Sequence, residues 1–203
     1  MLRDYADEYI QNLCRNKIVA DIGCMGSTVD VIGKVHLKNT RFAKEAYGID
    51  INKEFIKIAL AKGLKNILYG DVSKSEFIND FGDRKNYFDI VLATEIIEHV
   101  DNLGIFLDNI YFLLKKTGIV FLTTPNMICP KWTYVMKKTK DLRVHDEHVC
   151  WFDKNTITVL LKRHNFKIKE FFYLEPCGKH ERFNEQNQDW MAKKIAVLAE
   201  KNI

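Results

Sequence analysis

Residues 19–27 read VADIGCMGS, and what this turn is built to hold decides the fold. Two apolar residues lead into Asp21, Gly23 and Gly26 stand three apart, and Cys24 and Met25 lie between them. A dinucleotide fingerprint counted from Gly23 needs glycines at 25 and 28, where the chain has Met25 and Thr28. The missing glycine is the one that lets backbone approach a pyrophosphate. A cofactor without phosphates fits such a turn and a dinucleotide does not. A plain strand-to-helix turn stays open as the alternative at this point, because short glycine motifs also occur by chance.

Outward from the turn, short β-rich runs alternate with amphipathic stretches. The runs are KIVADI (17–22), AYGID (46–50), NILYGD (66–71), FDIVLAT (88–94) and GIVFLTT (118–124), with helical patterns at 52–63 and 101–118. In the second helix Leu103, Phe106, Leu107, Ile110, Leu113 and Leu114 recur at helical spacing. Asp101 is placed to cap its start, and Gly118 follows a last turn carrying Lys115 and Lys116. Residues 153–166 read as a further helix, FKIKEFFYL (166–174) as a strand and KKIAVLAEK (193–201) as the last strand, with the final two forming an antiparallel pair at the sheet edge.

This rhythm predicts an α/β fold, a three-layer Rossmann-like doubly wound sheet of seven strands with the last antiparallel. The chain reads as a single domain over 1–203, with a substrate-facing insert at about 125–150. Such sheets bind ligands beyond the carboxyl ends of their strands, where strand order reverses. Asp21, Asp50 and Asp71 fall at or near those ends, and Thr94 and Glu95 follow the fourth run. Each Asp alone could be a helix cap or turn residue; three on successive strands favour a site.

At 203 residues the chain can bury one sizeable core. The net charge of +4 is modest and the lysines are scattered among acids, so charge does not argue for nucleic acid. Cys14, Cys24, Cys129, Cys150 and Cys177 are odd in number and contain no C-x-x-C pair, which indicates neither a disulfide framework nor a zinc site. No apolar run approaches the roughly 20 residues of a membrane span, and the start MLRDYADEYIQNL is unlike a signal peptide. These features predict a soluble cytoplasmic protein; the oligomeric state is not legible.

In order, the segments VADIGCMGS, YGIDIN, YGDVSK, FDIVLATEIIEHV, LLKKTGIVFLTTPN and EHVCWFDKNTITVLLKRHNF resemble the class I S-adenosylmethionine-dependent methyltransferases. The resemblance is to the type 11/23 group that includes ubiquinone-biosynthesis-like O-methyltransferases, and the last segment is similar to members that act beside glycosyltransferases on glycans. It implies S-adenosylmethionine as cofactor and S-adenosylhomocysteine as product.

The roles it implies are as follows. Gly23, Cys24, Met25 and Gly26 lie against the methionine part, with Asp21 holding the turn and reaching the amino group. Asp50 accepts from both ribose hydroxyls, Ile51 packs on adenine, Asp71 takes the adenine amino group and Val72 reads the ring through its backbone. Ala93, Thr94 and Glu95 line the far side near the transferring methyl. The sequence departs from the family pattern where Met25 or Thr28 replaces a third small residue, and the segment before the first strand is short.

In some relatives an E-x-x-E-H run like Glu95, Glu98 and His99 binds a divalent cation; in many others it is structural, and no metal is assigned here. His145, Glu147 and His148 lie in the insert, where an acceptor should dock. His148 is the first choice for a general base, with helix capping as its alternative. Trp132, Tyr134 and Trp151 could stack on an acceptor, while Phe152 reads as core. Methyltransferases of exocyclic amino groups usually carry Asn/Asp-Pro-Pro-aromatic after the fourth strand, where this chain has ATEI. The expected acceptor is therefore a hydroxyl of a small molecule or glycan. A non-catalytic S-adenosylmethionine-binding partner or sensor is the rival reading, and RNA methylation a more distant one.

Overall fold

The computed structural model describes residues 2–3, 7–141, 145–176 and 191–202; Cys177 lies outside them. Five parallel strands lie side by side in one sheet: β2 (Ile18–Ile22), β3 (Glu45–Asp50), β4 (Ile67–Tyr69), β5 (Phe88–Thr94) and β6 (Leu114–Pro125). With β1 (Leu2–Arg3), β7 (Phe166–Leu174) and β8 (Lys194–Lys201) the order is β1-β7-β8-β6-β5-β2-β3-β4.

The expected seven strands are present, with β8 antiparallel to both neighbours. The eighth, β1, pairs in parallel with β7 through two residues, too few to leave a period in the sequence. The last two strands pair antiparallel as expected, with β8 between β6 and β7.

The central strands are apolar on both faces, as strands covered by helices must be. Along β5, Val91 and Ala93 point into the larger core with Phe106, Leu107 and Ile110 of α5 (Leu103–Leu113), while Ile90 and Leu92 meet Ile10 and Cys14 of α1 (Asp7–Cys14). Phe106, Leu107 and Ile110 are each fully buried and contribute about 1.5–3 kcal/mol of apolar transfer. A third cluster joins Cys24 and Met25 to Ile56 and Ala59 of α3 (Lys53–Ala61), and to Ile32 and Ile67.

Two expectations at α5 are corrected. Its cap is Asn102, whose side chain accepts from the Ile105 N–H at 3.2 Å, and not Asp101. Its last residue is Leu113; Lys115, Lys116 and Gly118 belong to β6, where an irregularity separates the Phe88–Leu114 and Ile90–Ile119 pairs. The helical spacing of Leu113 and Leu114 extends past the helix because Leu114 is also buried, on the strand. The basic group serving the helix end is Lys201 from β8, whose Nζ donates to the Tyr111 and Leu114 carbonyls at 2.7 and 2.9 Å.

Strand order reverses beside β2: the chain builds β3 and β4 on one side and returns to β5 on the other. The carboxyl end of β2, where VADIGCMGS turns, is thus the switch point of the sheet. The connection from β6 to α7 (Lys154–Arg163) carries its own helix, α6 (Pro130–Thr139), in place of an unstructured loop. No helix among the described residues is long and apolar enough to cross a membrane.

Candidate functional site

The glycine turn leaves β2 with Gly23 at φ +70° and Gly26 at φ +78°, left-handed backbone that favours glycine. A Cβ on Gly23 would also overlap Ile96 Cδ1, so the turn and the segment after β5 approach as closely as glycine permits. The Gly23 N–H donates to the Ile49 carbonyl at 2.8 Å, tying the ends of β2 and β3.

Asp50, buried at the end of β3, accepts the Met25 N–H on Oδ2 at 3.0 Å and the Asn52 N–H on Oδ1 at 2.8 Å. One carboxylate thereby fixes both the glycine turn and the start of α3, and its oxygens retain acceptor capacity for two further donors. Ile51 beside it is 64% exposed, an apolar side chain held out next to a buried acid.

The side chains of Cys24 and Met25 face inward. Met25 is fully buried in the cluster beneath the turn, so its bulk is absorbed by the core and its backbone N–H faces Asp50. Cys24 Sγ packs over Gly48, and burial, assisted by Asp21 and Asp50, pushes its thiol well above the usual range, which disfavours the thiolate.

Asp21 is buried and its Oδ2 lies 2.9 Å from His36 Nδ1 on α2 (Lys34–Asn39). His36 lies 15 residues downstream on a six-residue helix that leaves little periodic signal in the sequence. Asp71, after β4, accepts the Ser73 N–H at 2.9 Å and the Ser73 hydroxyl at 2.5 Å, both on Oδ1. The Val72 side chain is buried, and Asn109 of α5 donates to the Val72 and Lys74 carbonyls at 2.9 and 2.8 Å, pinning that loop to the helix.

Beyond β5, Ala93 is buried and Thr94 half-buried. Glu95 has left-handed backbone at φ +55°, unusual outside glycine and asparagine. Its N–H meets the Thr123 carbonyl at 3.0 Å, the Thr123 hydroxyl donates to Oε1 at 2.9 Å, and Lys194 Nζ sits 3.3 Å from Oε2. Burial alone would lower the Lys194 pKa, but Glu95 and Glu175 outweigh it and hold the ammonium above its ordinary value. Neither Lys194 nor Thr123 stood out in the sequence; both arrive from strands paired with one another and distant in the chain.

Glu98 is buried, and burial first, then the Glu95 charge, push its carboxyl up to about 8. The E-x-x-E-H residues thus comprise one carboxylate paired with a lysine, one buried carboxyl whose pKa is raised and one imidazole. This is a poor donor set for a hard cation, which takes six or more oxygens including charged ones.

His99 turns instead toward the insert. Its Nδ1 lies 3.2 Å from the Glu147 carbonyl, and the Val149 and Cys150 N–H groups donate to the Glu98 carbonyl at 2.9 and 3.4 Å. His145 and His148 gather on His99, with ring centroids 5.6 and 4.6 Å from it. Burial, then the neighbouring His99 and His145, lower the His148 pKa against the pull of Glu147, which favours the neutral ring. Trp151 and Trp132 stand edge to face at 5.9 Å, Tyr134 is exposed and Phe152 is core.

The sequence model of a methyltransferase-domain family matches residues 3–170. Among characterised proteins, the ubiquinone biosynthesis O-methyltransferase of Pelagibacter ubique is 30% identical over 138 residues, covering 67% of this chain and 53% of that protein. The mitochondrial ubiquinone biosynthesis O-methyltransferase of Rattus norvegicus is 34% identical over 115 residues, 53% of this chain and 30% of that one. The chain therefore spans about half, or less, of the length of these relatives. In fold it is similar to a SAM-dependent methyltransferase from Archaeoglobus fulgidus, with TM-score 0.71 and 20% identity over 97% of this chain and 91% of that one. A SAM-dependent methyltransferase from Methanosarcina mazei gives TM-score 0.67 and 17% identity over 99% and 100%. The chain belongs to this methyltransferase-domain family.

Proposed function

We propose that this member of the methyltransferase-domain family transfers a methyl group from S-adenosylmethionine to an oxygen acceptor, a hydroxyl of a small molecule or glycan, in the cytoplasm. The observation that carries the reading is Asp50. It is buried at the switch point, it braces the glycine turn, it retains acceptor capacity and it stands beside the exposed Ile51. That combination suits a ribose with an apolar base attached, and the turn fits a cofactor lacking phosphates.

In this reading Gly23, Cys24, Met25 and Gly26 offer backbone to the methionine portion. Asp21, oriented by His36, faces its ammonium. Asp50 takes the ribose hydroxyls, and Ile51, Asp71 and Val72 hold the adenine. Ala93, Thr94 and Glu95 form the wall on the methyl side. Acidic side chains favour a ligand carrying sulfonium and ammonium charges. When bound, the cofactor supplies an electrophilic methyl; the chain aligns the acceptor oxygen, an orientation effect that lowers barriers by about 7–11 kcal/mol. A neutral imidazole at His148 is suited to take the hydroxyl proton.

Incubation with labelled S-adenosylmethionine and extracts fractionated into glycan, lipid, small-molecule and RNA pools tests this. Label is expected in a base-stable ether of the small-molecule or glycan pool. Cofactor binding without turnover in any pool would favour a non-catalytic binding subunit, and label in RNA would contradict the acceptor class.

A further inference from the structure

Among the described residues, the metal-ligating side chains that converge are three imidazoles. His99, from the turn after β5, and His145 and His148, from the insert, bring one potential ligand atom each to within 4.8 Å of one another. Glu95 and Glu98 do not join the group, being engaged with Lys194 and Thr123 or buried.

Three features indicate a built arrangement. The segment bearing His148 is anchored to the turn bearing His99 by the two N–H bonds to the Glu98 carbonyl. A carbonyl can only accept, so the contact from His99 Nδ1 to Glu147 O places the proton on Nδ1 and leaves the Nε2 lone pair free, the outer-sphere arrangement common to metal-bound histidines. His148 Nδ1 is buried with no hydrogen-bond partner, an unmet polar atom inside the cluster.

We infer that His99, His145 and His148 form a site for a borderline divalent cation of the zinc or cobalt class, with a fourth position open. Imidazole nitrogens suit such ions, and a set without oxygen donors disfavours magnesium and calcium. Metal–nitrogen distances of about 2.0–2.1 Å require the nitrogens to close from at most 4.8 Å to roughly 3.4 Å. His145 is exposed and can supply that adjustment by side-chain rotation. Binding itself is independent of the methyl-transfer reading. With the cation bound the His148 lone pair is engaged, so His148 is then a ligand and not the base; the use of the fourth position, to hold the acceptor oxygen, rests on the methyl-transfer reading.

The test uses untagged full-length chain, stripped with a chelator and titrated with Co²⁺. One equivalent is expected to give the intense visible bands of a four-coordinate ion. His148→Ala and, separately, the exposed-site variant His145→Ala should each weaken binding more than about tenfold. His164→Ala, which removes a histidine bonded to Asp108 away from the trio, should change nothing. Absence of saturable binding, a weak six-coordinate spectrum, or unchanged affinity in both trio variants overturns the site. Binding of S-adenosylhomocysteine, measured on the same samples, keeps the two readings apart. Cobalt bound at the trio without nucleoside binding sinks only the methyltransferase reading, and the converse sinks only the metal site.

Discussion

The two halves of the site are built by different physics. On the cofactor side, at the ends of β3 and β4, acidic side chains are held by backbone N–H groups, Asp50 by residues 25 and 52 and Asp71 by residue 73, while Asp21 on β2 is held by the His36 side chain. On the acceptor side, beyond β5 and β6, the polar groups are held by side chains and segments far off in the chain, Glu95 by Thr123 and Lys194, His99 by residue 147. The first half is a local motif that recurs wherever a strand ends in a glycine turn. The second exists only once the sheet has closed, which leaves it free to differ between chains that share the first.

The contrast is sharpest under substitution. His148→Ala is expected to lower kcat/KM for a hydroxyl acceptor by about 10²–10⁴-fold while leaving S-adenosylhomocysteine affinity within about twofold. Parallel losses of both would break the division of labour. His36→Leu leaves the buried Asp21 carboxylate without its partner and should cost about 3 kcal/mol in chemical denaturation. Unchanged stability there would mean that Asp21 finds another donor.

Gly23→Ala places a Cβ on left-handed backbone, a cost of roughly 1–3 kcal/mol, and drives Ile96 back from the turn. Cofactor affinity should fall with stability in this variant. Asp153→Ala, distant from both halves, removes the capping box of α7 and should cost about 1 kcal/mol with no change in binding. The Thr156 N–H chiefly holds the Asp153 carboxyl below its usual value. The capping contribution is therefore present above about pH 4, and is lost as pH falls through the depressed folded value, where wild type and variant should converge.

The same division explains what could be read from the chain. KIVADI, AYGID and FDIVLAT announce strands because both faces of the sheet are apolar, and Asp50 and Asp71 each accept from a backbone N–H two residues on, a contact that lies within the local sequence. The end of α5 is not legible in the sequence because Leu114 continues the helical spacing while serving a strand. His36 leaves no local signal because it sits on a helix of under two turns. Lys194 and the gathering of His99 with His145 and His148 depend on contacts spanning tens of residues, which no local pattern encodes.

The central claim is that the switch point binds S-adenosylmethionine through Asp50. Titration calorimetry of S-adenosylhomocysteine into the folded chain, beside Asp50→Ala of matched circular dichroism, tests it most directly. The account predicts one saturable site in the wild type, with affinity reduced at least tenfold in the variant, a loss of about 1.4 kcal/mol or more. No heat of binding to the well-folded wild type, or equal affinity in the two proteins, would contradict it.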